Sequence, residues 1–255
     1  MKESDTLPIE LPLLKKLIPR GIPRNSAVLL VGDPGVGKTM LLAHIALSLL
    51  RSGEPVVFVS LDDDPLALLQ VIEGLGAKPR GYLERGLLRI VDSYSFRFGH
   101  LRGRYELAVE SVGPGDLLRL LNVLNNLARG APGRGAVFVD SLNELLFHNS
   151  EYAVAEFVKS LRALLPKMKR VAVFLTLHTS LDVYIEFLSM IEHSVDGVIV
   201  MEFDPSTQVQ GAAIRRLYVR KLRGTPHSHR TISFTITERG FALHRFELAK
   251  ARSRP

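Results

Sequence analysis

Three glycines, a lysine and a threonine stand in one run, Gly32-Asp33-Pro34-Gly35-Val36-Gly37-Lys38-Thr39, which fits G-x-x-x-x-G-K-[ST] without a gap. Those residue types at that spacing serve one chemistry. Glycines let a loop turn tightly enough for successive backbone N–H groups to face one anion. A helix starting at the loop's end adds the positive end of its dipole. The run reads as a cradle for the phosphates of a nucleoside triphosphate. Lys38 is expected on the β- and γ-phosphates and the Thr39 hydroxyl on Mg²⁺, with Met40 continuing the first helical turn.

A second Mg²⁺ partner is expected where another apolar strand ends. Ala136-Val137-Phe138-Val139-Asp140-Ser141 supplies it, with Asp140 holding the ion through water, because Mg²⁺ dehydrates reluctantly. Hydrolysis also needs a group that positions a water. Leu61-Asp62-Asp63-Asp64-Pro65 holds three consecutive acids, which repel one another unless something compensates. Asp64 before Pro65 reads as a helix N-cap. Asp62 and Asp63 have no such structural reason and are expected to act together on the water, chiefly Asp63.

These groups need a scaffold. Short β-branched runs alternate with helical patterns: strands at Ala27–Gly32, Val56–Leu61, Leu87–Asp92, Ala136–Asp140, Val171–Thr176 and Gly197–Phe203; helices at Met40–Gly53, from Asp64-Pro65 to Leu75, Asp116–Ala128, Tyr152–Leu165 and Asp182–His193. The alternation predicts an α/β fold with a mostly parallel central sheet flanked by helices. RRLYVRKL, TISFTIT and FALHRF, split by turn residues, predict a C-terminal antiparallel hairpin extension. Tyr94–Gly115 reads as a long basic loop. The expected division is an N-terminal segment 1–20, one domain 21–248 and a basic tail 249–255.

With no cysteine among 255 residues, disulfides, thiolate metal sites and cysteine nucleophiles are excluded. The histidines show no metal-ligand spacing. No apolar run is long enough for a bilayer and the first residues lack a secretory pattern, so a cytoplasmic chain with no membrane insertion is expected. The net charge of +7 is concentrated from Gly211 to Pro255, where eleven Lys/Arg face two Asp/Glu. That region, and Arg97–Arg104 with Tyr94, Phe96, Phe98 and Tyr105 interleaved, raises single-stranded DNA as a partner, since aromatics among basic residues suit base stacking.

Several motifs together carry a family resemblance from about Gly21 to Gly240. They are Gly21-Ile22-Pro23, the phosphate loop, the acidic pair after the second strand, Asp140-Ser141, Val195-Asp196-Gly197-Val198-Ile199, and Val219-Arg220-Lys221-Leu222-Arg223-Gly224-Thr225-Pro226-His227. The last resembles the K-[ML]-R-G-T-x-H stretch of the KaiC-like branch of the RecA superfamily of P-loop ATPases. The resemblance implies ATP as the nucleotide and a homo-oligomeric, hexameric ring. It implies that Lys221 and Arg223 reach the γ-phosphate bound by a neighbouring subunit, as an arginine finger does. It also makes Thr176 and His178 candidates for sensing that phosphate. The family usually has two glutamates where this chain has Asp62 and Asp63. A carboxylate set back by about 1 Å can cost roughly 10²-fold in rate, so slow hydrolysis is expected. The readings that follow are a ring ATPase coupled to a protein partner, a DNA-binding recombinase paralogue, and a non-hydrolysing nucleotide-gated scaffold. A small-molecule kinase is disfavoured, because Asp182–His193 carries no arginine.

Overall fold

Strand β1 (Ala27–Gly32) is buried at every residue, as a run with no polar face must be. Its alternate side chains serve two cores. Val28 and Leu30 join one with helices α2 (Lys38–Arg51) and α3 (Pro65–Gly74). Ala27, Leu29 and Val31 join the other with α5 (Leu117–Leu127), α7 (Glu151–Arg162) and α8 (Asp182–Ile191). A period of two along the strand thus produces three layers: helices, sheet, helices. The computed structural model describes residues 5–98, 107–130, 132–205, 213–238 and 240–244.

The other strands are β2 (Val56–Ser60), β3 (Leu88–Asp92), β4 (Glu110–Ser111), β5 (Ala136–Asp140), β6 (Ala172–His178), β7 (Gly197–Phe203), β8 (Arg215–Leu222), β9 (Ile232–Thr237) and β10 (Gly240–Leu243). Among the described residues they form one sheet in the order β10-β9-β8-β7-β1-β6-β5-β2-β3-β4. From β7 to β4 every pairing is parallel, and from β7 to β10 every pairing is antiparallel. Phe58, Phe138 and Phe174 sit side by side across β2, β5 and β6, with ring centroids 5.7 and 5.1 Å apart.

The parallel register sets the functional end of the molecule. Gly32 is level with His178, and Ser60 with Asp140, so β1, β6, β5 and β2 finish along one edge. The opposite edge is tied by ion pairs to two buried carboxylates. Arg24 meets Glu54 through two hydrogen bonds of 2.8 and 2.7 Å. Asp196 accepts from Arg162, Lys167 and the Ala27 N–H.

The helix starts follow local chemistry. Asp64 accepts from the Ala67 N–H at 2.8 Å and Asp116 from the Arg119 N–H at 3.0 Å, each occupying a free donor of the first turn. Helix α7 departs from expectation by stopping at Arg162 and passing into a wider π-type turn over Ala163–Lys169. Pro166 lies inside that turn; it has no N–H to give and its ring crowds an α-helical turn. Short α1 (Pro12–Leu17), α4 (Pro79–Glu84), α6 (Leu142–His148) and β4 were not predicted, being too brief for a periodic signal. In the first segment, Leu7, Ile9, Leu11, Leu13, Leu14 and Leu17 are buried in the α2–α3 core. Residues 99–106 of the basic loop, Tyr105 among them, and the tail 249–255 lie outside the described residues. Among the described residues, no helix is long and apolar enough to cross a membrane.

Candidate nucleotide site

The loop Gly32–Gly37 joins β1 to α2 at the edge where the strands end. Gly32 is where the backbone passes closest to its neighbour. Its φ is +149°, and a Cβ there would lie 1.9 Å from the Met201 carbonyl oxygen. Gly37, at φ +102°, begins α2 in a backbone conformation that residues with a Cβ rarely adopt. Both positions therefore favour glycine.

Lys38 is 4% exposed and its ammonium is fully engaged. It donates to the carbonyls of Gly32 at 2.7 Å and Asp33 at 2.8 Å, and meets His178 Nδ1 at 2.8 Å. Burial lowers its pKa to about 8, against the opposing pull of Asp140, Asp62 and Asp33. Thr39 Oγ1 donates to Asp140 Oδ2 at 2.7 Å, and Thr176 Oγ1 donates to Asp140 Oδ1 at 2.5 Å. Burial pushes the Asp140 carboxyl up, partly offset by those two hydroxyls. A buried acid that resists ionisation beside a hydroxyl is a donor pair that a hard divalent cation would complete. Thr39 and Asp140 thus fit Mg²⁺, and the glycine cradle with Lys38 fits phosphate.

The acidic run is divided in its use. Asp62 turns into the site: Ser141 Oγ donates to its Oδ1 at 2.8 Å, and His178 Nε2 lies 3.0 Å from its Oδ2. Burial acts to raise this carboxyl, but the bonds from His178 and Ser141 outweigh it and hold it below the ordinary value. Asp63 turns to its own loop, accepting the Asp64 N–H at 2.8 Å on its side chain and the Ser60 hydroxyl at 2.8 Å on its carbonyl. Asn143 is a member that sequence reasoning missed. It accepts the His178 N–H at 2.7 Å and donates to the His178 carbonyl at 3.3 Å. No motif marks it; only the short helix α6 brings it under β6.

Lys221 and Arg223 do not reach this loop in their own chain. Lys221 pairs with Val198 near the start of β7, and its ammonium lies on the carbonyls of Glu192 and Val195. Burial, then the charge of Arg223, lowers its pKa. The Arg223 N–H bonds the Asp196 carbonyl, at the edge opposite the phosphate loop. Several of the cations expected to meet nucleic acid are engaged internally, while Arg223 and Arg230 are exposed. Arg97 pairs with Glu144 and lies over the rings of Tyr94 and Phe96, at 4.8 and 4.5 Å. Arg216 pairs with Asp204 and Arg220 with Glu192.

A family model described as the KaiC ATPase matches residues 7–246. A UPF0273 protein of Methanopyrus kandleri is 31% identical over 239 residues, covering 91% of this chain and 89% of its own length. One from Aeropyrum pernix is 30% identical, with 94% of each chain covered. Among solved structures, a KaiC-like protein from the hyperthermophilic archaeon Pyrococcus horikoshii superposes with a TM-score of 0.69 at 24% identity, covering 94% of this chain and 98% of that one. This last match speaks to the fold alone.

Proposed function

We propose, from the premise that this chain belongs to the KaiC family of ATPases, that it binds ATP with Mg²⁺ in the cytoplasm and hydrolyses it slowly within a homo-oligomeric ring. One observation carries the reading: Lys38, Thr39, Asp140, Asp62 and His178 come from four separate strand ends yet form one bonded cluster. Lys38 and the glycine loop would hold the phosphates, Thr39 and Asp140 the metal, and Asp62 the water side. Metal and cation would neutralise charge as the γ-phosphoryl transfers.

Ring formation is supported by the position of Lys221 and Arg223. Cations at the edge opposite the phosphate loop serve a γ-phosphate only on another subunit, and such a head-to-tail contact closes into a ring. A hexamer with a protein partner is the form we favour. We place the DNA-binding reading second, because Arg97 is held by Glu144 and by the rings of Tyr94 and Phe96.

The test is Mg²⁺-dependent ATP binding and turnover by the full chain beside Lys38→Ala, with mass measured by light scattering with and without ATP. Binding, turnover above the blank and a ring-sized mass are expected. Binding without turnover would leave the nucleotide-gated scaffold as the surviving reading. Absence of binding would remove the proposal altogether.

A further inference from the structure

We infer that Asp62 acts on the attacking water through His178, as a positioning residue for a histidine base that stands in for a longer carboxylate. The inference rests on the hydrolytic reading above and deepens it. Both oxygens of Asp62 are already committed, Oδ1 to the Ser141 hydroxyl at 2.8 Å and Oδ2 to His178 Nε2 at 3.0 Å. A carboxylate held on both sides does not swing toward a water. The imidazole beyond it supplies the reach that the missing methylene removes.

The ring's orientation is settled by its partners. The His178 main chain is clamped from both sides by Asn143, at 2.7 and 3.3 Å. The Lys38 ammonium has only donors, so Nδ1, 2.8 Å away, accepts. Nε2 then carries the proton and donates to Asp62. One tautomer satisfies every contact. When Lys38 turns to the phosphates, the Nδ1 lone pair is left facing the phosphate side. The charged groups around the ring are Lys38 from α2, Asp62 from the β2–α3 turn and Asp140 from β5.

The step balances. The water oxygen bonds to the γ-phosphorus while Nδ1 takes one water proton. The bond from the γ-phosphorus to the β–γ bridging oxygen breaks, and its electron pair leaves with ADP. Asp62 stabilises the imidazolium, which returns its proton to phosphate or solvent. An acid that fixes the tautomer and supports the charged ring, without taking the proton, is established chemistry for a histidine base.

The experiment is a double-mutant cycle on the full chain, with ATP affinity measured beside single-turnover hydrolysis, and with ¹⁵N NMR of the His178 ring. His178→Asn should lose about 10²-fold or more in rate, with affinity changed less than about threefold. In an Asp62→Glu background, where the carboxylate itself reaches the water, the same change should cost less than about tenfold. The nucleotide-free ring should show protonated Nε2 and bare Nδ1. Equal losses in both backgrounds, no loss in the wild type, or a proton on Nδ1 would overturn the inference. ATP binding with no wild-type turnover above Lys38→Ala overturns it too, yet leaves nucleotide binding standing.

Discussion

Thr39 Oγ1 donates to Asp140 Oδ2 across 2.7 Å, closing a contact between residues 101 positions apart. The bond holds together the two oxygens to which a divalent cation would bind, and it does so at a carboxyl whose burial opposes its charge. Asp140→Asn should therefore raise the melting temperature of the nucleotide-free protein, since a group that ionises at a cost is replaced by a neutral one. The same variant should lose the additional stabilisation by Mg²⁺-ATP over ATP alone. Calorimetry with and without Mg²⁺ reads both effects; for a chain of this size about 2–4 °C corresponds to 1 kcal/mol.

Lys38 makes binding depend on pH. Its pKa of about 8 in the free protein lies below the ordinary lysine value of 10.5, so the unfolded chain holds more protons between those values. Stability contributed by this site should accordingly rise as pH increases from about 8 to 10.5. Lys38→Met should stabilise the nucleotide-free protein at pH 7, by on the order of 2–3 kcal/mol, while abolishing ATP binding. Above pH 8, ATP must reprotonate the lysine on binding, and affinity should fall toward about tenfold per pH unit. Titration calorimetry in buffers of different ionisation enthalpy detects that proton uptake.

Lys221 and Arg223 lie at the wrong edge to serve their own loop. Lys221→Ala should keep the ATP affinity of an isolated subunit within about twofold and abolish turnover in the assembly, as loss of a phosphoryl-stabilising cation does. Mixing it with Lys38→Ala should restore part of the activity, because some interfaces then combine an intact loop with an intact Lys221. Two inactive variants that stay inactive when mixed would show that the cation acts within one chain.

Asp196 lies at the edge opposite the phosphate loop and should matter to folding. Burial acts against its charge, but the bonds from Arg162, Lys167 and the Ala27 N–H prevail and bring its pKa to about 2. A depressed carboxyl contributes stability fully above its unfolded value near 4, and loses it as pH falls through 2. Asp196→Asn should cost about 2 kcal/mol at pH 7 and flatten the acid limb of the stability curve between about pH 4 and 2. Urea unfolding across that range measures it.

The sheet was legible because its signals are local. A six-residue run such as Ala27–Gly32 has no polar face to show water, and Asp64-Pro65 caps a helix by contacts within four residues. The glycine loop was legible for the same reason: its glycines, lysine and threonine stand at fixed offsets within eight residues. Asn143 left no such trace, since its role depends on α6 passing beneath β6, and α6 is too short to announce itself.

The residue sequence by itself determined the phosphate loop, the alternation of strands and helices, and which acids were available at strand ends. Only the tertiary structure decided between those acids. Asp62 and Asp63 are neighbours of one type, and no pattern separates them. The strand register brings Ser141 and His178 against Asp62, while Asp63 bonds the Asp64 N–H of its own turn. Tertiary structure also settled that Lys221 faces away from Lys38, because antiparallel β8 returns its end to the start of β7. Local propensity acts over a few residues, whereas partners at separations of 79 and 116 positions are chosen by sheet order and register.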